Sequence, residues 1–305
     1  MAIATVRVQI NGTWTTLTYN STSKAYEATI TAPGTTSFNM SGGYYPVAVE
    51  ATNTAGTTAR ADATTATIGT SLRLVVKETV APVITITSPT SGARVVNNKQ
   101  PVVFTITDAA GGSGVNLSTV VVKQDGTAVA ASTITSSAIT NGYTFTYTPA
   151  AAMSDGTHTI TVDAKDNDGN AATQKTTTFT IDTVPPVLNI SSPTEGFITN
   201  STSVVASGTT NDATSSPVTM TQALDGGTAQ AVTVSSNGSF TKTWSGLTHG
   251  SHYIDFVATD SAGKTSTVRR NFTVDTSTPV ISSVTITPNP ANTGASMVLK
   301  VVVTG

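Results

Sequence analysis

A six-residue phrase written three times constrains this chain most: "ETVAPV" at Glu78–Val83, "DTVPPV" at Asp182–Val187 and "DTSTPV" at Asp275–Val280. Its prolines Pro82, Pro186 and Pro279 recur at intervals of roughly a hundred residues, the length of a small domain rather than of a solenoid turn. The likeness runs past the prolines. "PVITITSPTSGARV" (Pro82–Val95) aligns with "PVLNISSPTEGFIT" (Pro186–Thr199), and each leads through a strand-like run to an aspartate, Asp108 or Asp212. Late in each unit, "GTHTITVDAKDNDGN" (Gly156–Asn170) matches "GSHYIDFVATDSAGK" (Gly250–Lys264) and, less closely, "GYYPVAVEATNTAGT" (Gly43–Thr57). In mid-unit, "VQING" (Val8–Gly12), "VKQDG" (Val122–Gly126) and "QALDG" (Gln222–Gly226) end in dipeptides that tolerate φ > 0 and so favour tight turns.

Within these phrases apolar residues alternate with polar ones (Ile160, Val162, Ala164; Ile254, Phe256, Ala258), the period of a strand with one buried face. Charged residues are only 10% of the 305, and Thr, Ser, Asn and Gly carry the polarity instead. Threonine is β-branched and suits a pleated surface. No amphipathic helical stretch of useful length interrupts the pattern. About seven short strands per unit predict an all-β chain of tandem immunoglobulin-like β-sandwiches. The expected units are residues 1–78, 79–183, 184–276 and 277–305. Proline at each joint fixes φ and removes a donor, which ends strand pairing and predicts an elongated rod.

The residues of "DTVPPV…SP", of Asp108–Val115 and of the Gly156 and Gly250 phrases resemble the bacterial Ig-like repeats of surface proteins and of phage tail-associated proteins. The resemblance spans about residues 79–276 well and the first unit weakly. It implies architecture more than function, because such modules serve as spacers and binders alike.

The register of the repeats does not close. The first unit starts directly at the "VQING" strand and lacks the two opening strands. The last segment, Pro279–Gly305, supplies two such strands and forms an incomplete half-sandwich. A lone strand pair cannot bury its apolar face. Three readings stand: a domain whose remainder lies outside the sequence, a first unit that completes itself through its tail Ala66–Glu78, or head-to-tail addition of 277–305 to the 1–78 unit of another copy, a contact that builds filaments.

Chemistry is sparse. In this fold the linker, the loop after the second strand and the late hairpin turn share one pole. They should gather Glu78, Asp108, Asp166 and Asp168 in one unit, and Asp182, Asp212 and Asp260 in the next. Clustered carboxylates suit a hard cation such as Ca²⁺, although turn-capping aspartates explain the same pattern. His158 and His252 occupy equivalent strand-start positions, which reads as fold rather than zinc. Trp14, Tyr44 and Tyr45 are candidates for stacking on a sugar. No nucleophile–base pair or carboxylate dyad gives an enzyme an anchor, so no catalytic residue is assigned.

A net charge of −2 carries no footprint for nucleic acid, and the absence of cysteine excludes disulfides and thiolate zinc. No apolar run is long enough for membrane insertion, and no signal-peptide pattern follows Met1. The expectation is a non-catalytic spacer or adhesion protein of a virion or the extracellular space. Its partners would be other structural subunits, itself head-to-tail, or a cell-surface glycan. The alternatives are a self-assembling filament subunit, a surface adhesin fragment or a carbohydrate-binding module.

Overall fold

The computed structural model describes residues 2–305. The chain opens with a two-residue hairpin: β1 (Ile3–Ile10) and β2 (Thr13–Asn20) are joined by Asn11 and Gly12 at φ 48° and 79°. Positive φ at both central residues matches the right-handed strand twist, which is why Asn-Gly stands there. β3 (Ala25–Glu27), β4 (Tyr45–Asn53), β5 (Thr58–Ala61) and β6 (Arg73–Leu74) complete a sheet ordered β3-β2-β1-β4-β5, with β6 also on β4. Its buried apolar residues are few: Val6, Val8, Tyr45 and Ala48.

This N-terminal unit differs from the expectation of a sandwich missing two strands. It is a single sheet, and residues 28–44, where the remaining strands of a second layer would lie, contain no strand. The tail 66–78 adds only β6, in the same layer, so it does not complete a sandwich.

A full two-sheet sandwich follows. Its strands are β7 (Val83–Ser88), β8 (Ala93–Val95), β9 (Val102–Thr107), β10 (Val115–Gln124), β11 (Thr127–Ala128), β12 (Ile134–Ile139), β13 (Gly142–Tyr147), β14 (Gly156–Asp166) and β15 (Lys175–Ile181). One sheet runs β12-β13-β9-β7 and the other β11-β10-β14-β15-β8. Strict alternation in β9 and β14 turns Val102, Phe104, Ile106, Ile160 and Val162 inward, all with no exposed surface. Phe104 stacks on Phe145 with centroids 5.1 Å apart. Aromatic residues that alternate along β13 are thus core, because period two puts them on one buried face.

The next sandwich repeats the plan with β16 (Val187–Ser192), β17 (Phe197–Thr199), β18 (Ser203–Asn211), β19 (Thr219–Leu224), β20 (Gln230–Val232), β21 (Ser239–Ser245), β22 (Gly250–Thr259) and β23 (Thr265–Val274). Its sheets are β16-β18-β21 and β17-β23-β22-β19-β20. Val204, Ala206, Met220, Phe240, Ile254, Phe256, Phe272 and Val274 form its core. The last pair, β24 (Val280–Thr287) and β25 (Val298–Thr304), is a two-stranded sheet with every residue exposed.

Two compact units are distinguished: Met1–Ala93 with Lys99–Met153 and Thr157–Phe179, and Arg94–Asn98 with Ser154–Gly156 and Thr180–Gly305. The first holds the N-terminal sheet and most of the first sandwich, the second the following sandwich and the β24–β25 pair. Nearly all regular structure is β, as tandem sandwiches require.

Candidate cation sites

Each sandwich carries three carboxylates that meet at one end. In the first, one oxygen each from Glu78, Asp108 and Asp166 lie within 4.8 Å of one another. The sequence builds this from turn chemistry. Asp166 closes the loop after β14, accepting from Gly169 N at 2.6 Å and Asn170 N at 2.8 Å with Oδ1, and from Asn170 Nδ2 at 2.7 Å with Oδ2. Asp108 accepts from Ala109 N at 2.8 Å and Gly114 N at 2.6 Å, so both its oxygens are bonded. Glu78 Oε1 accepts from Ser113 N. Gly112 is packed so closely that a Cβ there would sit 2.7 Å from Asp108 Oδ2 and 2.8 Å from Glu78 Oε2. The loop 109–114 therefore passes close against two of the carboxylates.

Asp168, expected in this cluster, is elsewhere. Its Oδ2 accepts from Thr36 Oγ1 at 2.5 Å and from Glu78 N at 3.0 Å, tying the N-terminal segment to the turn. Of two aspartates two positions apart, the one at the turn's first position joins the triad and the other accepts from Thr36 and Glu78 N.

In the following sandwich Asp182, Asp212 and Asp260 form the equivalent group, again within 4.8 Å, and all three are buried. Each uses one oxygen on its own turn. Asp182 Oδ1 accepts from Val184 N at 3.1 Å. Asp212 Oδ1 accepts from Thr214 N at 2.8 Å and Ser215 N at 2.6 Å. Asp260 Oδ1 accepts from Ala262 N at 2.8 Å and Lys264 N at 2.9 Å. The other oxygens of Asp182 and Asp260 are buried with no hydrogen-bond partner, as is Ser215 Oγ. Such orphaned groups are costly and need an occupant or a proton. Sequence reasoning found the six carboxylates but not Ser113 or Ser215; the short spacing from Asp108 and Asp212 was the available signal. In the N-terminal unit the matching turn is capped by Asn53, whose Oδ1 accepts from Ala55 N at 2.9 Å and Thr57 N at 3.0 Å without adding charge.

The histidines serve the fold. His158 Nδ1 lies 2.8 Å from Asp125 Oδ2 and His252 Nδ1 2.7 Å from Asp225 Oδ2, the same pair in both sandwiches. Burial works to lower the His252 pKa, but the Asp225 carboxylate and the Thr248 carbonyl outweigh it and raise the pKa above 6.5. Burial likewise opposes ionisation of Asp125, yet His158 and the Thr159 N–H hold its pKa below the usual value.

The aromatic candidates are engaged by the chain itself. The Arg7 guanidinium lies 4.4 Å from the Trp14 ring centroid and that of Arg60 5.8 Å, and both arginines bond Glu50. Arg73 sits 5.0 Å from the Tyr44 ring. Tyr45, expected at a ligand surface, is 3% exposed and 2.6 Å from Thr35 Oγ1, so it belongs to the core.

A family model described as "Bacterial Ig-like domain" matches residues 81–183, and one described as "Glucodextranase, domain B" matches residues 186–276. No curated protein sequence matches the chain. Among solved structures, the fibronectin(III)-like modules of Clostridium thermocellum CbhA match at 19% identity and a TM-score of 0.36, over 63% of this chain and 94% of that one. The D00-D0 domain of intimin matches at 14% identity and a TM-score of 0.32, over 62% and 98%. A Bacteroides ovatus protein, SGBP-B in complex with a mixed-linkage heptasaccharide, matches at 14% identity and a TM-score of 0.22, over 96% and 69%.

Proposed function

From a chain of tandem Ig-like domains, we propose a non-catalytic structural spacer or adhesion protein, borne on a virion as part of a phage tail. The observation that carries the spacer reading is the succession of two sandwiches, each with its own complete core and each entered through a proline-bearing linker. A module that buries its own core can be repeated to set distance without new chemistry. The virion setting is supported by the resemblance of the "DTVPPV" phrase to repeats of tail-associated proteins. Antibody raised against residues 186–276 should label tails of purified particles of a phage encoding the chain. Particles that never carry label overturn that setting. For the adhesion form, a glycan array of the intact protein reports sugar binding, and Trp14→Ala asks whether the N-terminal sheet provides it.

A second reading, self-assembly, is favoured by the β24–β25 pair. Ile281, Val298 and Leu299 are 64%, 69% and 62% exposed, an apolar surface suited to another sheet. The acceptor would be the single-layered N-terminal sheet of a second copy. Sedimentation of the full chain and of residues 1–275 tests it: a monomer in both cases sinks the filament.

A further inference from the structure

The two carboxylate triads look alike in sequence and differ in wiring. We propose that Asp182, Asp212 and Asp260, with the Ser215 hydroxyl, bind one hard divalent cation, calcium above all. The triad Glu78, Asp108 and Asp166 binds none.

The argument for the first half begins with charge. Three carboxyl groups that are 0%, 8% and 5% exposed converge at one point. Buried like charges at this range cannot all stay ionised without compensation. The compensation is not supplied by the chain at the oxygens concerned, because Asp182 Oδ2, Asp260 Oδ2 and Ser215 Oγ have no partner. At Asp182 and Asp260 the turn amides bond Oδ1, which fixes the carboxylate plane and leaves Oδ2 without a partner.

The donor set selects the ion. All the donors are oxygens, which suits calcium or magnesium and not the softer metals that prefer nitrogen and sulfur. Two oxygens on opposite sides of Ca²⁺ are at most about 5 Å apart, and on opposite sides of Mg²⁺ about 4 Å. Ligand atoms all within 4.8 Å of one another are close enough to share one calcium ion. Remaining coordination positions fall to water.

The second half rests on the loop 109–114. In that triad both oxygens of Asp108 and of Asp166, and one of Glu78, already accept hydrogen bonds. A Cβ at Gly112 would lie 2.7 Å from Asp108 Oδ2 and 2.8 Å from Glu78 Oε2, so this loop passes close against those carboxylates. The "GG" of Gly111–Gly112 allows this approach. The other sandwich has "ATSS" after Asp212 and lacks it.

The test uses the intact protein, stripped with chelator and titrated with CaCl₂ in a calorimeter, then with MgCl₂. One calcium per chain is expected. Asp260→Asn and Asp182→Asn should weaken binding by at least about tenfold, since affinity follows ligand charge. Asp108→Asn should leave both stoichiometry and affinity unchanged. Ser215→Ala, which keeps all three charges, should weaken binding severalfold while the protein stays folded by circular dichroism, so a misfolded aspartate variant cannot decide the matter alone. Two ions per chain, or binding lost in Asp108→Asn and kept in Asp260→Asn, would overturn the assignment. So would no binding at all, with a melting temperature that ignores calcium and rises on acidification, because the carboxylates would then be sharing protons.

Discussion

At the scale of single residues, the two sandwiches show how one buried position can be filled in two ways. Val122 lies in the first core at 1% exposure, and the equivalent place on β19 is Gln222 at 0%. Gln222 Oε1 accepts from Trp244 Nε1 at 3.1 Å, while its Nε2 has no partner. Trp244→Phe should leave the whole amide unpaired and cost about 1–3 kcal/mol, and adding Gln222→Leu should restore most of that loss. Chemical denaturation of the four-member cycle measures it. The His252–Asp225 pair gives a pH signature. Because the folded His252 pKa is raised above 6.5, its stabilisation is fully present below that value and is lost as pH rises through the folded pKa. Melting of the protein between pH 6 and 9 should show this decline, and His252→Gln should flatten it. The carboxylates of both triads were legible in the sequence because turns after matching strands need Asp or Asn. The repeat alignment also separates Asp166 from Asp168, since Asp166 stands opposite Asp260 and Asp168 opposite Ala262, whereas the contact of Asp168 with Thr36 was not legible.

At the scale of elements, strand pairs and turns follow from short-range signals, whereas layer number does not. The Asn11-Gly12, Asp125-Gly126 and Asp225-Gly226 turns all have positive φ at both residues, as their dipeptides demand. Residues 28–44 carry the breakers Pro33-Gly34 and Gly42-Gly43, yet such turns also separate the short strands of a sandwich, so they do not by themselves exclude a second layer. Close approach between strands was likewise invisible. A Cβ on Gly208 of β18 would lie 2.1 Å from the Asn189 carbonyl oxygen and 2.8 Å from the Phe240 ring. The neighbour on β16 is backbone within a paired strand and cannot yield cheaply. Gly208→Ala should therefore destabilise this sandwich by about 1–3 kcal/mol, read as an earlier denaturation midpoint.

At the scale of the whole molecule, apolar surface is distributed unevenly. The sandwiches bury one face of their strands around a core, while β24 and β25 show apolar residues on both faces and pair only with each other. Removal of residues 277–305 should leave the melting temperature of the remainder within about 2 °C, because a lone strand pair contributes little packing. Binding of a hydrophobic dye should fall in the same variant. A larger drop in melting temperature would mean that the pair is covered in solution. The tandem plan was readable from the repeated joints, but the calcium asymmetry was not. It lies in which carboxylate oxygens the chain's own donors already satisfy.

The bond between Thr36 and Asp168 joins residues 132 positions apart. Among the described residues the N-terminal sheet buries four apolar side chains, and the segment 28–44 beside it is tied to a turn made much later in synthesis. At roughly 5–20 residues per second, a ribosome delivers that turn some 7–26 s after Thr36. β1 and β2 are thus synthesised well before that turn can hold their unit, and for those seconds Val6 and Val8 depend on a chaperone or on chance to stay apart from other nascent chains.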